Sequence, residues 1–147
     1  KWGEALKKAG ITFAYHPHGY EFRPFGDGTL FDLLVKETNP EFVQFEMDVF
    51  WVVHPGADPM KLLEKYPNRW VLMHLKDIRK GARTGIYTGK ADKRDDVTIG
   101  TGMVDWPSVL AAANKAGVKH YFLEDEAPTV EVQVPQSLKY LEGLKAK

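Results

Sequence analysis

Residues 42–77, FVQFEMDVFWVVHPGADPMKLLEKYPNRWVLMHLKD, hold two strands and the helix between them, and that order sets the fold class. Over 42–48, Val43, Phe45 and Met47 alternate with Gln44 and Glu46, the period of two expected of a strand with unlike faces. Asp58 followed by Pro59 predicts a helix start, with a side-chain acceptor at the cap and a preset φ at the first helical position. Met60, Leu62, Leu63 and Tyr66 fill that helix and Pro67 ends it. Residues 70–75, WVLMHL, form an apolar run of strand length, suited to burial on both faces of a parallel sheet. The intervening VFWVVHPGA, 49–57, reads as a loop. A strand, a helix and a second strand at this spacing imply parallel strands joined by a right-handed crossover.

The same alternation extends both ways. Towards the N-terminus, Trp2, Ala5, Leu6 and Ala9 share a helical stripe that Gly10 stops, residues 11–16 (ITFAYH) read as a strand, and Leu30, Phe31, Leu33 and Leu34 mark a short helix. Towards the C-terminus, Asp105 caps a helix carrying Trp106, Val109, Leu110 and Ala113 that ends at Gly117. A strand at 120–124 (HYFLE) and a helix over 136–144 with Leu138, Leu141 and Leu144 complete the chain. The order α-β-α-β-α-β-α-β-α fits a small doubly wound sheet or half of a (β/α)8 barrel, which needs about 250 residues when complete. No internal linker divides the 147 residues, so one domain is expected over 1–147. The long connection 76–104, with Gly81, Gly85, Gly89, Gly100 and Gly102, is too irregular for a phosphate loop and reads as a lid or an oligomer contact.

Composition narrows the chemistry. Lys+Arg and Asp+Glu are both 20, so the formal net charge is zero and nothing draws the chain generally to nucleic acid or an anionic membrane. Zero cysteines exclude disulfides, thiolate-held metals and a Cys nucleophile. No stretch nears the roughly 20 apolar residues of a membrane span. The chain opens at Lys1, inside an amphipathic helix, and reads as the continuation of a longer barrel.

Chemistry in parallel βα proteins gathers at the C-terminal ends of the strands. Here those ends carry His16 and His18; Glu46 and Asp48; His74, Lys76 and Asp77; and Glu124, Asp125 and Glu126. Any one alone is an ordinary cap or loop residue, but all four strands together predict a cup of imidazoles and carboxylates fit for a divalent metal such as Mn, Zn, Co or Mg. Glu46 and Asp48 share a strand face, and Asp48, nearer the active end, is the expected ligand. Lys76 and Asp77 could form a local ion pair. His54 and Glu21 read as loop residues, and His120 as structural at the inert end.

The segments FAYHPHGYEF, residues 42–77, GTGMVDWPSVLAAANKAGVKHYFLEDE and PQSLKYLEGL resemble the C-terminal half of the xylose isomerase-like TIM-barrel superfamily, in its sugar phosphate isomerase/epimerase group. The likeness is strongest at the 25-residue gap between Asp48 and His74, at H-x-K-D over 74–77 and at G-x-G-x-x-D-W-P over 100–107. It implies an α/β half-barrel whose four strands correspond to strands five to eight, and one divalent metal held by His16, Asp48, His74 and Glu124. His16 departs from the family pattern, where a Glu precedes Pro-His, so a two-carboxylate epimerisation is not simply inherited. The implied activity is a metal-dependent isomerase or epimerase acting on a sugar or sugar phosphate by proton transfer next to a carbonyl. Glu124 would move the proton, with His16 or His18 as partner acid/base. Trp51 would stack on the sugar, and Lys76 or Arg79 would neutralise an oxyanion or bind a phosphate. The same apparatus could drive β-elimination from a 3-keto glycoside. A half-barrel exposes two sheet edges, so a missing N-terminal half or a second copy is the expected partner, and the alternative to an enzyme is a non-catalytic half that binds a metal or sugar and needs that partner for turnover. An abasic-site endonuclease is disfavoured by the neutral charge and five His. The residues do not fix the compartment; the balance leans slightly to the cytoplasm.

Overall fold

The computed structural model describes residues 1–145. In chain order its elements are α1 (Trp2–Lys8), β1 (Ala14–Tyr15), β2 (Pro24–Phe25), β3 (Gly28–Thr29), α2 (Leu30–Glu37), β4 (Gln44–Asp48), α3 (Val49–Val53), α4 (Pro59–Lys65), β5 (Trp70–Leu75), β6 (Asp77–Ile78), β7 (Asp96–Val97), α5 (Trp106–Ala116), β8 (His120–Leu123) and α6 (Val130–Lys145). Strands β1, β4, β5 and β8 form one parallel sheet in that spatial order. Consecutive βα units therefore lie side by side, as they do around a barrel, and the order is not that of a doubly wound sheet. The pairs β2–β3 and β6–β7 are two-residue antiparallel ladders in the connections.

Local signals place the helices. Asp58 accepts from the Met60 and Lys61 amides at 2.9 and 3.3 Å. Thr29 and Asp32 form a reciprocal capping box at α2. Gly117 closes α5 at φ 94°, a left-handed conformation costly for any residue with a Cβ. One face of the sheet is then covered by helices. Phe45, Met47, Trp70 and Met73 point into that core, where Trp70 stacks on Phe31 at 5.1 Å and Trp106, Val109 and Ala113 of α5 pack fully buried.

The opposite face, which would line a barrel, is open. Val71 and Leu72 are only half-buried, and Phe122 is 46% exposed. The expectation that 70–75 is buried on both sides is thus corrected: burial of the inner face needs facing strands of a closed barrel. Three other readings change. β1 is two residues long, not six, and Ile11 before it is exposed. Residues 49–53 are the helix α3, which apolar composition alone did not reveal, because its start is set by the Asp48 side chain accepting from the Trp51 amide at 3.1 Å. α6 begins at Val130, six residues earlier than its leucine stripe suggests. Residues 146 and 147 of the expected domain lie outside the described residues.

Asp77 organises the long connection. Its fully buried carboxylate accepts from the Ile78, Gly100, Gly102 and Val104 amides at 2.8–3.3 Å and from the Trp106 indole at 2.9 Å. A Cβ at Gly102 would lie 2.2 Å from Asp77 Oδ1, so only glycine lets the backbone come this close. The motifs at 74–77 and 100–107 are two sides of one buried carboxylate cradle. The expected Lys76–Asp77 ion pair is replaced: Asp77 is saturated by N–H donors, and Lys76 turns to other carboxylates.

Candidate functional site

Strand register brings the candidate residues together. Asp48 pairs with His74 and His74 with Phe122, so Asp48 and His74 project side by side from the open face. Tyr15 pairs with Phe45 on the helix side, which turns the next residue, His16, inward beside Glu46. Glu124, just past β8, shares the parity of Phe122 and reaches the His74 Nδ1.

In the resulting cluster, His16 lies 3.1 Å from Glu46 through Nδ1 and 3.6 Å from Asp48 through Nε2. His74 lies 3.2 Å from Glu46 through Nε2 and 4.0 Å from Asp48 through Nδ1. The imidazole centroids are 4.9 Å apart, edge to face. One ligand atom from each of His16, Asp48 and His74 falls within 4.8 Å of the others. His16 Nε2 and Asp48 Oδ2 are buried without a hydrogen-bond partner. Buried polar atoms left unpaired are costly, and two on one small volume with a nitrogen and oxygen donor set fit a divalent cation. Glu46, which was ranked behind Asp48, sits between both imidazoles. Its signal was available: the period of two puts it on the same face as Asp48.

The charges are interlocked. The hydrogen bond that the His74 ring donates to Glu124 holds His74 above its ordinary 6.5 despite the opposing effect of burial, with Glu46 adding to it. His16, pulled down by burial, is raised on balance by Asp48 and Glu46. Glu124 is depressed to about 2, first by His74 and, against a smaller cost of burial, by Lys76. In the apo protein the raised imidazoles contribute stability that is fully present below pH 6.5 and is lost as pH rises through their folded values. The depressed Glu124 contributes stability that is present above pH 4.5 and is lost as pH falls towards 2. A metal needs both imidazoles unprotonated, so it competes with those protons. The rise in melting temperature given by saturating zinc should therefore grow between about pH 5.5 and about pH 8. Scanning fluorimetry reads this directly, and a zinc-induced shift that is flat or declining over the range would argue that the imidazoles are not ligands.

Lys76 borders the cluster. Its side chain is 2% exposed, with Nζ 2.6 Å from Glu126, 3.6 Å from Glu124 and 3.8 Å from Asp96. Burial alone would lower its pKa, but Glu126 and the surrounding carboxylates outweigh it and the ammonium is kept. Asp96 is pushed up to about 7 by burial, and its Oδ1 has no partner. Sequence reading missed Asp96, because it sits in an aperiodic connection and is placed only by the two-residue pairing of β7 with β6.

The remaining candidates flank the site or lie outside it. His18 stacks on His16 at 4.5 Å and approaches Trp51 at 6.0 Å. The His18 amide donates to Glu21, which is buried and also accepts from the Tyr15 hydroxyl, so Glu21 holds the turn that presents both His. Trp51 is 9% exposed and packs with Phe50, Ile78 and Ala82. Arg79 is not brought to the cluster: its guanidinium grips Asp95 at 2.6 and 2.9 Å. His54 is buried against Phe50, away from the cluster, and His120 opens β8 at the opposite end of the strand. A larger apolar cavity of 990 Å³ among Leu110, Tyr121, Leu138 and Leu141 lies on the helix side.

Residues 1–145 match the family model described as xylose isomerase-like TIM barrel. The chain is similar to the inosose dehydratase of Geobacillus thermodenitrificans (strain NG80-2), with 29% identity over 131 residues covering 82% of this chain and 42% of that protein. A solved sugar phosphate isomerase/epimerase from Parabacteroides distasonis ATCC 8503 is 34% identical with a TM-score of 0.75, over 95% of this chain and 48% of that one. An IOLI protein solved with a bound zinc atom shares the fold at 16% identity and a TM-score of 0.69, over 96% of this chain and 51% of that one. The chain thus spans about half the length of these relatives.

Proposed function

The chain belongs to the xylose isomerase-like TIM-barrel family, and from that premise we propose that it supplies the metal-holding half of an enzyme that moves a proton next to the carbonyl of a sugar or related polyol. The observation that carries the reading is the convergence of His16, Asp48, His74 and Glu124 at the ends of four adjacent parallel strands. The first three residues would hold one divalent ion, Mn, Zn, Co or Mg, with Glu124 as the fourth ligand. Bound there, the ion supplies Lewis acidity that makes the C–H beside a carbonyl more acidic.

The chain's own groups divide the rest of the work. Glu124 is held ionised by His74 and Lys76, the state in which a carboxylate can take a proton. Both ring nitrogens of His16 face Glu46 and Asp48, so His16 serves the metal. Among the described residues no side chain hydrogen-bonds the ring of His18, which leaves it as the partner that returns the proton. The Lys76 ammonium, 3.6 Å from Glu124, stands where it can balance a developing enediolate.

In the isomerase or epimerase reading, the C–H bond breaks and a proton returns to a carbon of the same substrate. The inosose dehydratase relatives support a second reading, elimination. There the C–H electrons form C=C, the β C–O bond breaks, and the leaving hydroxyl or alkoxide of a 3-keto glycoside takes a proton from the acid. A closed barrel requires four more βα units along the free edges of β1 and β8, from a longer chain or a second copy. A cytoplasmic location goes with this reading; no described helix is long and apolar enough to cross a membrane.

Deuterium exchange tests the shared step. With a divalent metal in D2O, the protein should exchange the hydrogen next to the carbonyl of a ketose or inosose, seen by proton NMR, and Glu124→Gln should slow this by at least about 100-fold. Return of labelled ketose marks isomerisation or epimerisation, and an enone marks elimination. Metal-loaded protein that exchanges none of these ketones would contradict the reading.

A further inference from the structure

We propose that the 340 Å³ cavity beside the cluster is a subsite for an uncharged, polyhydroxylated part of the substrate and that it disfavours a phosphate ester. This rests on the metal-site reading above and narrows its substrate class. The cavity is bounded by Phe50, Trp51, Lys76, Lys93, Asp96 and Glu126. Its volume is that of a small-molecule site. It adjoins the reacting end through Lys76, which spans Glu126 at 2.6 Å and Glu124 at 3.6 Å.

Lys76 is already held by Glu126, Glu124 and Asp96, and Lys93 lies 3.9 Å from Glu126. The nearby guanidiniums are also occupied, Arg94 by Asp92 at 2.5 Å and Arg79 by Asp95 at 2.6 Å. Lys90 at the rim is exposed, where its charge is screened by solvent. A phosphate would have to displace Glu126 from Lys76 and then sit against that carboxylate, a like-charge contact that opposes it. Hydroxyl groups meet no such barrier, because each can accept from an ammonium and donate to a carboxylate. Asp96 Oδ1, buried without a partner, adds an acceptor on the cavity wall. Phe50 and Trp51 give an apolar wall for the C–H face of a ring.

Calorimetric titration of the protein with fructose and with fructose 6-phosphate, with and without zinc, tests this. The neutral ketose should bind at least about tenfold more tightly than the ester, and Glu126→Gln, which removes the shortest ion pair of Lys76 and the ion pair of Lys93, should tighten the ester by about tenfold or more while weakening the ketose. Wild-type preference for the ester, no binding of either compound, or an equal change for both in Glu126→Gln overturns the assignment. Failure to bind zinc, with the ketose still preferred, counts against the metal reading alone.

Discussion

Asp48→Ala abolishes divalent-metal binding at micromolar concentrations, a loss of at least about 100-fold, since even residues one shell behind a metal are worth 10–100-fold. Asp48 is the only carboxylate of the cluster with a fully buried side chain, and its Oδ2 faces both imidazoles with no other partner. Its Oδ1 has a separate task, capping α3 through the Trp51 amide. The two tasks separate by substitution. Alanine removes both and costs about 1 kcal/mol for the lost cap, whereas Asp48→Asn keeps an acceptor for the amide but puts an NH2 group in place of the oxygen that faces the imidazoles. Metal titration together with thermal melts should therefore show both variants losing the metal and only the alanine variant losing the cap energy. An Asp48→Asn protein that binds metal like the wild type would remove Asp48 from the site.

The largest effect on stability is expected at Asp77. Its carboxylate gathers four backbone amides and the Trp106 indole. Asp77→Ala leaves these donors facing a cavity, and at about 1–3 kcal/mol for each buried donor left unpaired, partly recovered by entering water, the net loss is roughly 4 kcal/mol. Asp77→Asn is little better, because its amide turns N–H donors towards N–H donors. Urea unfolding measures the loss, and a decrease below about 1 kcal/mol in both variants would mean that the 76–104 connection is held by its apolar anchors, Ile78 and Ile99, instead.

What could be read from the sequence followed from local rules. The alternation at 44–48, the apolar run at 70–75 and the Asp-Pro start at 58 each reflect a constraint felt within a few residues, and β4, β5 and α4 lie where those rules put them. The candidate cluster was legible because strand direction fixes which residues stand at the C-terminal ends of the strands. Two of the misses depend on partners distant in the chain: Asp77 is explained by amides 23 to 27 residues on, and Asp96 reaches Lys76 across a ladder of two pairs. The cap of α3 is local, Asp48 accepting from the Trp51 amide three residues on, but an Asp that also ends an alternating strand carries no separate helix signal. β1 is short because only Ala14 and Tyr15 pair with β4. Arg79 looked available for an anion because its partner, Asp95, lies 16 residues away.

Two imidazoles from the strands flanking β4, His16 after β1 and His74 in β5, are proposed to share one metal ion with the carboxylates between them. X-ray absorption at the zinc edge of the zinc-loaded protein tests it most directly. The account predicts one zinc per chain with two imidazole nitrogens and carboxylate oxygens at about 2.0–2.2 Å, and one imidazole fewer in His16→Ala. A zinc shell with fewer than two imidazoles in the wild type, or one unchanged in His16→Ala, would contradict it.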